Sequence, residues 1–185
     1  MYKVAIVMGS DSDLPTLTPC VDMLRKLTIP FVVRVISAHR TPEVAREFAR
    51  QVRGEGFGVL IAAAGKAAHL AGALAANTTL PVIGIPVKSS TLDGLDALLS
   101  TVQMPSGIPV ATVAIDGAQN AALLAAQILA VADEALAETL AGLREEMTAQ
   151  AMKKDEEVRG RFGEGTLGGT AHFDIVARGA RSVPK

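Results

Sequence analysis

The sequence predicts a three-layer α/β sandwich, in which a five-stranded parallel sheet lies between two layers of helices. Five short apolar runs of strand length alternate along the chain with segments whose apolar residues recur at helical spacing. The runs are continuously apolar, as in Gly58–Ala64 (GVLIAAA), and do not alternate with polar residues. Strands of this kind are buried on both faces, which is typical of a parallel sheet with right-handed crossovers.

Each strand is predicted from an apolar or β-branched run that is bounded by turn residues. The predicted strands are Lys3–Met8, Phe31–Ile36, Gly58–Ala64, Pro81–Pro86 and Pro109–Ile115. Helices follow them, and Ser12 is expected to cap the first, while Ser90 and Asp93 are expected to form a capping box for the fourth. The strand order expected for such a chain is the flavodoxin-like 2-1-3-4-5.

One further helix is predicted after the fifth β-α unit, over Asp133 to about Glu157. Its apolar stripe consists of Leu136, Leu140, Leu143 and Met147. No strand follows it, so we expect the helix to pack on a neighbouring subunit or across its own domain. The prediction is a single α/β domain over 1–157, followed by a Gly-rich, mobile tail over 158–185.

Composition excludes several classes of protein. The net charge of −1 and an aromatic content of 3% offer neither a basic patch nor a base-stacking surface, so no nucleic-acid partner is expected. Cys20 is the only cysteine, which rules out a disulfide within the chain and favours a reducing, cytoplasmic setting. The longest apolar region, Val110–Val131, is interrupted by polar residues, so no membrane span is expected.

Polar side chains collect in the turns that follow the predicted strands. These turns are Gly9–Asp13, Ser37–Arg40, Gly65–His69 and Lys88–Ser90. Because the carboxyl ends of parallel strands meet at one edge of the sheet, the four turns are expected to form a ligand site there. Hydroxyls at a helix start, with Arg40 nearby, suit a phosphate, and Asp13 suits the hydroxyls of a ribose.

Other familiar sites lack support in this sequence. It contains no GxGxxG, GxxxxGK[ST] or GxSxG motif, which argues against a dinucleotide-binding, P-loop or serine hydrolase site. A receiver-like phosphorylation domain would place an Asp at the end of the third strand, where Ala63–Gly65 stand. A metal site at Asp11 and Asp13 is a weaker alternative, since no set of His, Cys and carboxylate residues has metal-ligand spacing.

Four motifs in order along the chain resemble one enzyme family, the class I 5-(carboxyamino)imidazole ribonucleotide mutases of purine biosynthesis. The motifs are Gly9–Asp13 (GSDSD), Ser37–Pro42 (SAHRTP), Ala67–Leu70 (AAHL) and Val102–Val110 (VQMPSGIPV). The resemblance runs from Val4 to about Ala130. It implies a homo-octamer with sites at subunit junctions, a small ribonucleotide and CO₂ as reacting partners, and neither metal nor ATP as cofactor.

The resemblance also assigns roles by position. It implies that His39 is the catalytic acid and base and that Ala67–Leu70 wall a carboxylate pocket. The implied substrate-binding residues are Ser10, Ser12, Asp13, Ser37, Ala38, Arg40, Gly65, Ala67, Ala68, His69 and Leu70. Two positions depart from the family pattern, in which Gly is common at Lys66 and Pro at Ala71.

The implied reaction moves a carboxylate from the exocyclic nitrogen of an aminoimidazole ribonucleotide to the adjacent ring carbon. CO₂ is lost and recaptured, one proton reaches the nitrogen and one leaves the carbon. An imidazole, whose ordinary pKa is about 6.5, suits both transfers.

Three alternatives stay open at this stage. One is a class II aminoimidazole ribonucleotide carboxylase that uses free CO₂, against which Gln103–Val110 argues. Another is the nicotinate dinucleotide carboxylase domain of a nickel-pincer pathway, which normally carries an extra N-terminal region. The third is a nucleotide-binding module without activity, which would bind the ribonucleotide and not turn it over.

Overall fold

A computed structural model of the protein describes residues 2–163 and contains a single parallel sheet in that range. Its strands, β1 to β5, are Lys3–Met8, Phe31–Val35, Phe57–Gly65, Val82–Val87 and Ala111–Thr112. They are parallel throughout and lie in the order β2-β1-β3-β4-β5. The predicted flavodoxin-like α/β fold is therefore confirmed.

Four helices connect successive strands, and two more, the second of them long, follow the last strand. Helices α1 to α6 are Leu14–Lys26, Pro42–Gln51, Leu70–Ala75, Leu95–Val102, Ala118–Ala130 and Glu134–Phe162, and a 3₁₀ turn precedes α1 at Asp11–Asp13. The chain divides into two compact units, Met1–Arg144 and Glu145–Lys185. The first unit holds the whole sheet, and the described part of the second is the remainder of α6.

Both faces of the three central strands, β1, β3 and β4, are buried, and their alternate residues serve opposite faces, whereas the edge strand β2 is exposed over its last three residues. Val4, Ile6 and Met8 of β1 pack in a cluster with residues of α1 and α5. Ala5 and Val7 point to the other face and pack in a cluster with residues of α2 and α3. This two-sided burial explains the continuous apolar runs from which the fold was predicted.

The observed bounds of β1 and β2 agree with the predicted ones to within one residue, but the predicted helix caps are wrong. Ser12 does not cap α1, because Ser10 instead accepts a hydrogen bond from the Ser12 N–H and caps the 3₁₀ turn. Asp13 then stands at the N-cap of α1 without a side-chain cap bond. The capping hydroxyl is that of Ser10 because a 3₁₀ turn precedes α1, and Ser10 stands at the start of that turn.

The predicted capping box at Ser90 and Asp93 is also wrong. Helix α4 begins after Gly94, which has a left-handed φ of 92° and forms no side-chain cap bond. The Asp93 carboxylate pairs with the Lys88 Nζ at 3.1 Å. The fifth strand is shorter than predicted, since only Ala111 and Thr112 form bridges, to Ile83 and Gly84 of β4.

Helix α6 continues to Phe162, five residues beyond its predicted end at Glu157. Leu136 is buried in the core of the first unit, and Leu140 and Leu143 pack against that core, so this part of the helix lies across its own domain. In the described part of the chain, no helix is both long and apolar enough to cross a membrane. The rest of the predicted tail, 164–185, lies outside the described residues.

Gly84 is the tightest point of the packing around β4. A Cβ at this position would lie 2.4 Å from Thr101 Cγ2, 3.0 Å from Val110 Cγ1 and 3.3 Å from Ala71 Cβ. Elements from three parts of the chain therefore approach the backbone of β4 closely. This approach requires a residue without a side chain.

Gly84→Ala is expected to lower the free energy of unfolding by about 1–3 kcal/mol, because the added methyl group overpacks a core that has no room for it. Gly142→Ala is the matched control, since a Cβ at Gly142 in α6 meets nothing within 4 Å and replacing a helical glycine favours the helix. Thermal and denaturant unfolding of the two variants measures the difference. Equal stability of both variants would contradict this account of Gly84.

Candidate active site

The carboxyl edge of the sheet carries an open cavity of about 590 Å³, a size typical of small-molecule sites. Residues of the turns after β1, β2, β3 and β4 all reach its wall. The lining residues are Gly9, Ser10, Ser12, Asp13, Ser37, Ala38, His39, Arg40, Ala64, Gly65, Lys66, Ala67, His69, Leu70, Val87, Lys88, Ser89 and Ser90. The four turns that the sequence singled out therefore converge in one place.

The turn after β1 gathers hydroxyls at the start of its helix. The Ser12 hydroxyl donates to the Ser10 Oγ at 2.9 Å, and the Ser10 hydroxyl donates to the Asp11 carboxylate at 3.2 Å. Exposed hydroxyls and N–H groups at the start of a helix form a favourable environment for an anion. The geometry of this turn suits a phosphate group.

Asp13 is the acidic residue of the cavity wall. Burial raises the pKa of its carboxyl above the ordinary value of 3.8, and the nearby charge of Asp11 acts in the same direction. Hydrogen bonds from the Ser10 backbone and the Ser12 side chain lower that pKa in part. A carboxylate that has lost water in this way gains from further hydrogen-bond donors, such as the hydroxyls of a sugar.

The turn after β2 is closed by hydrogen bonds between Ser37 and Thr41. The Ser37 N–H donates to Thr41 Oγ1 at 3.1 Å, and the Thr41 hydroxyl donates to the Ser37 carbonyl at 2.9 Å. The Arg40 N–H donates to the Ser37 hydroxyl at 3.1 Å. Thr41, the N-cap residue of α2, makes no side-chain cap bond and instead fixes the loop that carries His39 and Arg40.

His39 and His69 meet across the mouth of the cavity. The Nε2 atom of His39 lies 2.7 Å from Nδ1 of His69, and the ring planes are nearly perpendicular at 87°. The two residues follow β2 and β3, which lie on either side of β1 in the sheet, so the pair links the turns on both sides of the β1 turn. Within this bond one nitrogen donates and the other accepts, which leaves His39 Nδ1 and His69 Nε2 for a ligand.

The turn after β3 approaches β4 closely. A Cβ at Gly65 would lie 3.2 Å from the Val87 carbonyl oxygen, so glycine suits this position. Lys66 follows with a left-handed φ of 55°. Ala67, His69 and Leu70 reach the cavity wall, whereas Ala68 is buried and, alone among the predicted site residues, does not line the cavity.

Several lining residues had no individual role in the prediction, namely Gly9, Ala64, Lys66, Val87, Lys88, Ser89 and Ser90, although all but Ala64 and Val87 lie in the turns that were expected to form the site. All of them stand at the end of a strand or in the following turn, and this position is the feature of the sequence that could have identified them as lining residues. The backbone N–H of Lys88 donates to the Asp116 carboxylate at 2.9 Å and so ties the β4 turn to the segment before α5. Residues 2–163 contain no group of three or more His, Cys, Asp or Glu side chains that could hold a metal ion.

Comparison with known proteins gives a consistent result. The sequence profile of AIR carboxylase matches residues 3–150. The chain is 56% identical to the N5-carboxyaminoimidazole ribonucleotide mutase of Pyrococcus abyssi over 147 residues, covering 80% of this chain and 84% of the relative. It is 50% identical over 157 residues to the protein of the same name from Bacillus subtilis, covering 84% of this chain and 97% of that one.

The fold comparison points the same way. The crystal structure of Treponema denticola PurE superposes with a TM-score of 0.78 at 29% identity, covering 84% of this chain and 98% of that one. The profile match extends from the start of β1 into α6 and so includes all four turns of the cavity wall. On this evidence of sequence and fold together, the chain belongs to the AIR carboxylase family.

Proposed function

We propose that the chain is an N5-carboxyaminoimidazole ribonucleotide mutase, which converts that compound to 4-carboxy-5-aminoimidazole ribonucleotide. The observation that carries the proposal is the linked pair of His39 and His69, set in a cavity whose other walls suit a phosphate and a ribose. The names of the relatives, which are about half identical over most of this chain, support the same reaction.

In the proposed complex, the phosphate lies against the hydroxyls of Ser10 and Ser12. Arg40 adds a planar guanidinium, which binds phosphate oxygens in pairs. Asp13 accepts hydrogen bonds from the ribose. This arrangement places the base of the ribonucleotide toward the two histidines.

His39 moves the protons in this proposal. As an acid it protonates the exocyclic nitrogen when the carbamate loses CO₂, and as a base it removes the proton of the ring carbon after CO₂ has been recaptured. General acid and base catalysis of this kind requires a group within hydrogen-bond reach of the reacting atoms. The Nδ1 atom of His39 is the nitrogen that the bond to His69 leaves available.

His69 acts on His39 as a positioning residue. Its Nδ1 lies within hydrogen-bond distance of His39 Nε2, so it orients the ring and selects which nitrogen of His39 carries the proton. A proton on His39 Nε2 would require a lone pair on His69 Nδ1, and the reverse holds for the other tautomer. His69 therefore affects the reaction through the orientation and the protonation of His39.

Retention of CO₂ is assigned to the small apolar residues of the β3 turn. Ala64 and Ala67 lie on the cavity wall, and Leu70 closes it with a side chain that is nearly buried. A neutral gas molecule held beside the ring carbon reacts as if it were present at high concentration. As the family resemblance implies, the proposed reaction includes neither ATP nor a metal.

One assay tests the proposed function directly. The protein is mixed with the N-carboxylated ribonucleotide without ATP or bicarbonate, and formation of the C-carboxylated product is followed. Product formation supports the mutase. Product formed only from the uncarboxylated ribonucleotide and free CO₂ would instead indicate a class II carboxylase, and binding without turnover would indicate a nucleotide-binding module.

The proposal includes a homo-octamer and a cytoplasmic location. Helix α4, together with Leu92 two residues before its Gly94 cap, presents a stripe of exposed apolar side chains, with exposed fractions of 47–56% at Leu92, Leu95, Leu99 and Val102. Such a stripe is typical of a subunit interface. The lone thiol of Cys20 is buried, in keeping with a reducing compartment.

His39→Asn is expected to reduce kcat by about 10²–10⁴-fold, because an amide cannot exchange a proton near pH 7. The fold and ribonucleotide binding are expected to persist, which circular dichroism and a binding titration would check. His69→Asn is the comparison variant, and a smaller loss with an altered pH profile is expected from its positioning role. If His39→Asn kept a near-normal kcat while His69→Asn was inactive, the two assignments would be reversed.

Arg40→Lys is expected to raise the KM for the ribonucleotide about tenfold with little change in kcat, because lysine keeps the charge but lacks the planar fork. Arg46→Lys is the matched control, since Arg46 pairs with Glu43 on the surface of α2 and lies away from the cavity. Steady-state kinetics separates the two. An unchanged KM for Arg40→Lys would remove this side chain from the phosphate site.

Light scattering at micromolar concentration is expected to give about eight times the mass of one chain. The double variant Leu95→Glu/Leu99→Glu is expected to lower that mass, because it places charges in the apolar stripe. Val131→Glu changes an exposed valine at the end of α5 and serves as the control. A monomer for the unmodified protein would contradict the octamer.

A further inference from the structure

Lys66 adopts a backbone conformation that lysine does not favour. Its φ of 55° lies in the left-handed region, where a Cβ crowds the neighbouring carbonyl oxygen and where glycine is at no disadvantage. Strained residues of this kind cluster at functional sites. Lys66 also lies on the wall of the cavity, between Gly65 and Ala67.

The charges on the cavity wall are unbalanced. Three cationic side chains line the cavity, those of Arg40, Lys66 and Lys88, against the single carboxylate of Asp13. Lys88 pairs with Asp93. Within the described chain, Arg40 and Lys66 form no ion pair, so two cations are available for a ligand. A carboxylated ribonucleotide presents two anionic groups, its phosphate and its carboxylate.

The position of Lys66 decides which of these anions it faces. Lys66 belongs to the same turn as His69, and His69 is bonded to His39. The nitrogen that bears the carboxylate must lie beside His39, because that nitrogen receives the proton. The carboxylate therefore lies near the β3 turn, whereas the phosphate lies near the hydroxyls of the β1 turn.

We propose that the ammonium group of Lys66 binds the carboxylate of the substrate and makes the site selective for carboxylated over uncarboxylated ribonucleotides. This inference rests on the proposed function and adds a determinant of specificity to it. Glycine at this position would relieve the strain but would supply no charge.

The expected kinetic effect is specific. An ammonium group attracts the carboxylate of the bound substrate, and it has no comparable attraction for neutral CO₂. Lys66 therefore strengthens binding of the ground state and does not lower the barrier to loss of CO₂. Removal of the charge is expected to raise KM and to raise kcat by up to the same factor, because the lost attraction is made in the ground state and not in the transition state.

Lys66→Met tests the inference, because it keeps an unbranched side chain that is only one heavy atom shorter and removes the charge. The KM for the N-carboxylated ribonucleotide is expected to rise about tenfold. The inhibition constant of the uncarboxylated aminoimidazole ribonucleotide, used as a competitive inhibitor, is expected to stay within about twofold of the wild-type value. Lys66→Arg is expected to restore most of the affinity.

Lys3→Met is the matched control for the loss of one positive charge, since Lys3 opens β1 at the opposite edge of the sheet, where its Nζ lies over the Phe57 ring. It is expected to change neither constant. Lys66→Gly adds a second readout, because it is expected to raise the melting temperature while raising KM as Lys66→Met does.

Two results would overturn the inference. An unchanged KM in Lys66→Met would mean that the side chain faces solvent. An equal loss of affinity for both ribonucleotides would mean that Lys66 acts on the phosphate or through the general field of the cavity. Turnover of the N-carboxylated ribonucleotide by the wild-type protein is measured first, so failure of the proposed function is recognised before any variant is compared.

Discussion

Burial of both faces of the central strands of the parallel sheet is the constraint on which the rest of this structure depends. Strands β1, β3 and β4 carry apolar side chains toward both helical layers, as alternate residues of β1 show. Polar groups with chemical roles are therefore confined to the edges, where the chain leaves one strand and enters the next helix. The carboxyl edge has four such turns rich in polar side chains, and they share one cavity.

Two of these turns are held in place by different means. Hydroxyl bonds close the β2 turn at Ser37 and Thr41, and the close approach of Gly65 to Val87 fixes the β3 turn against β4. The bond between His39 and His69 then links the β2 and β3 turns. A pair of imidazoles linked in this way couples the orientation and the protonation of the two rings, which is the property that the proposed proton transfers require.

Much of the fold was predictable because it follows from hydrophobic periodicity, a signal that local sequence carries in full. The position of β1 is of this kind, and the strand order is the one expected for the fold class that the periodicity indicates. Helix caps were less predictable, since the Ser12 hydroxyl bonds Ser10 and the Asp93 carboxylate pairs with Lys88, and neither side chain caps a helix. The short β5 has a similar cause, because pairing with β4, and not the apolar run itself, sets the length of an edge strand.

The sequence by itself determined the α/β class, the set of turns that carry polar residues and the family resemblance, because these depend on residue type and spacing. Only the tertiary structure decided which side chains meet. His39 and His69 are thirty positions apart in the sequence. They come together because their strands, β2 and β3, lie on either side of β1 in the sheet. Ala68 turns inward although its neighbours line the cavity, and Lys66 takes a left-handed conformation that no spacing rule reveals. Distances and backbone angles of this kind arise from the packing of elements that are far apart in the chain.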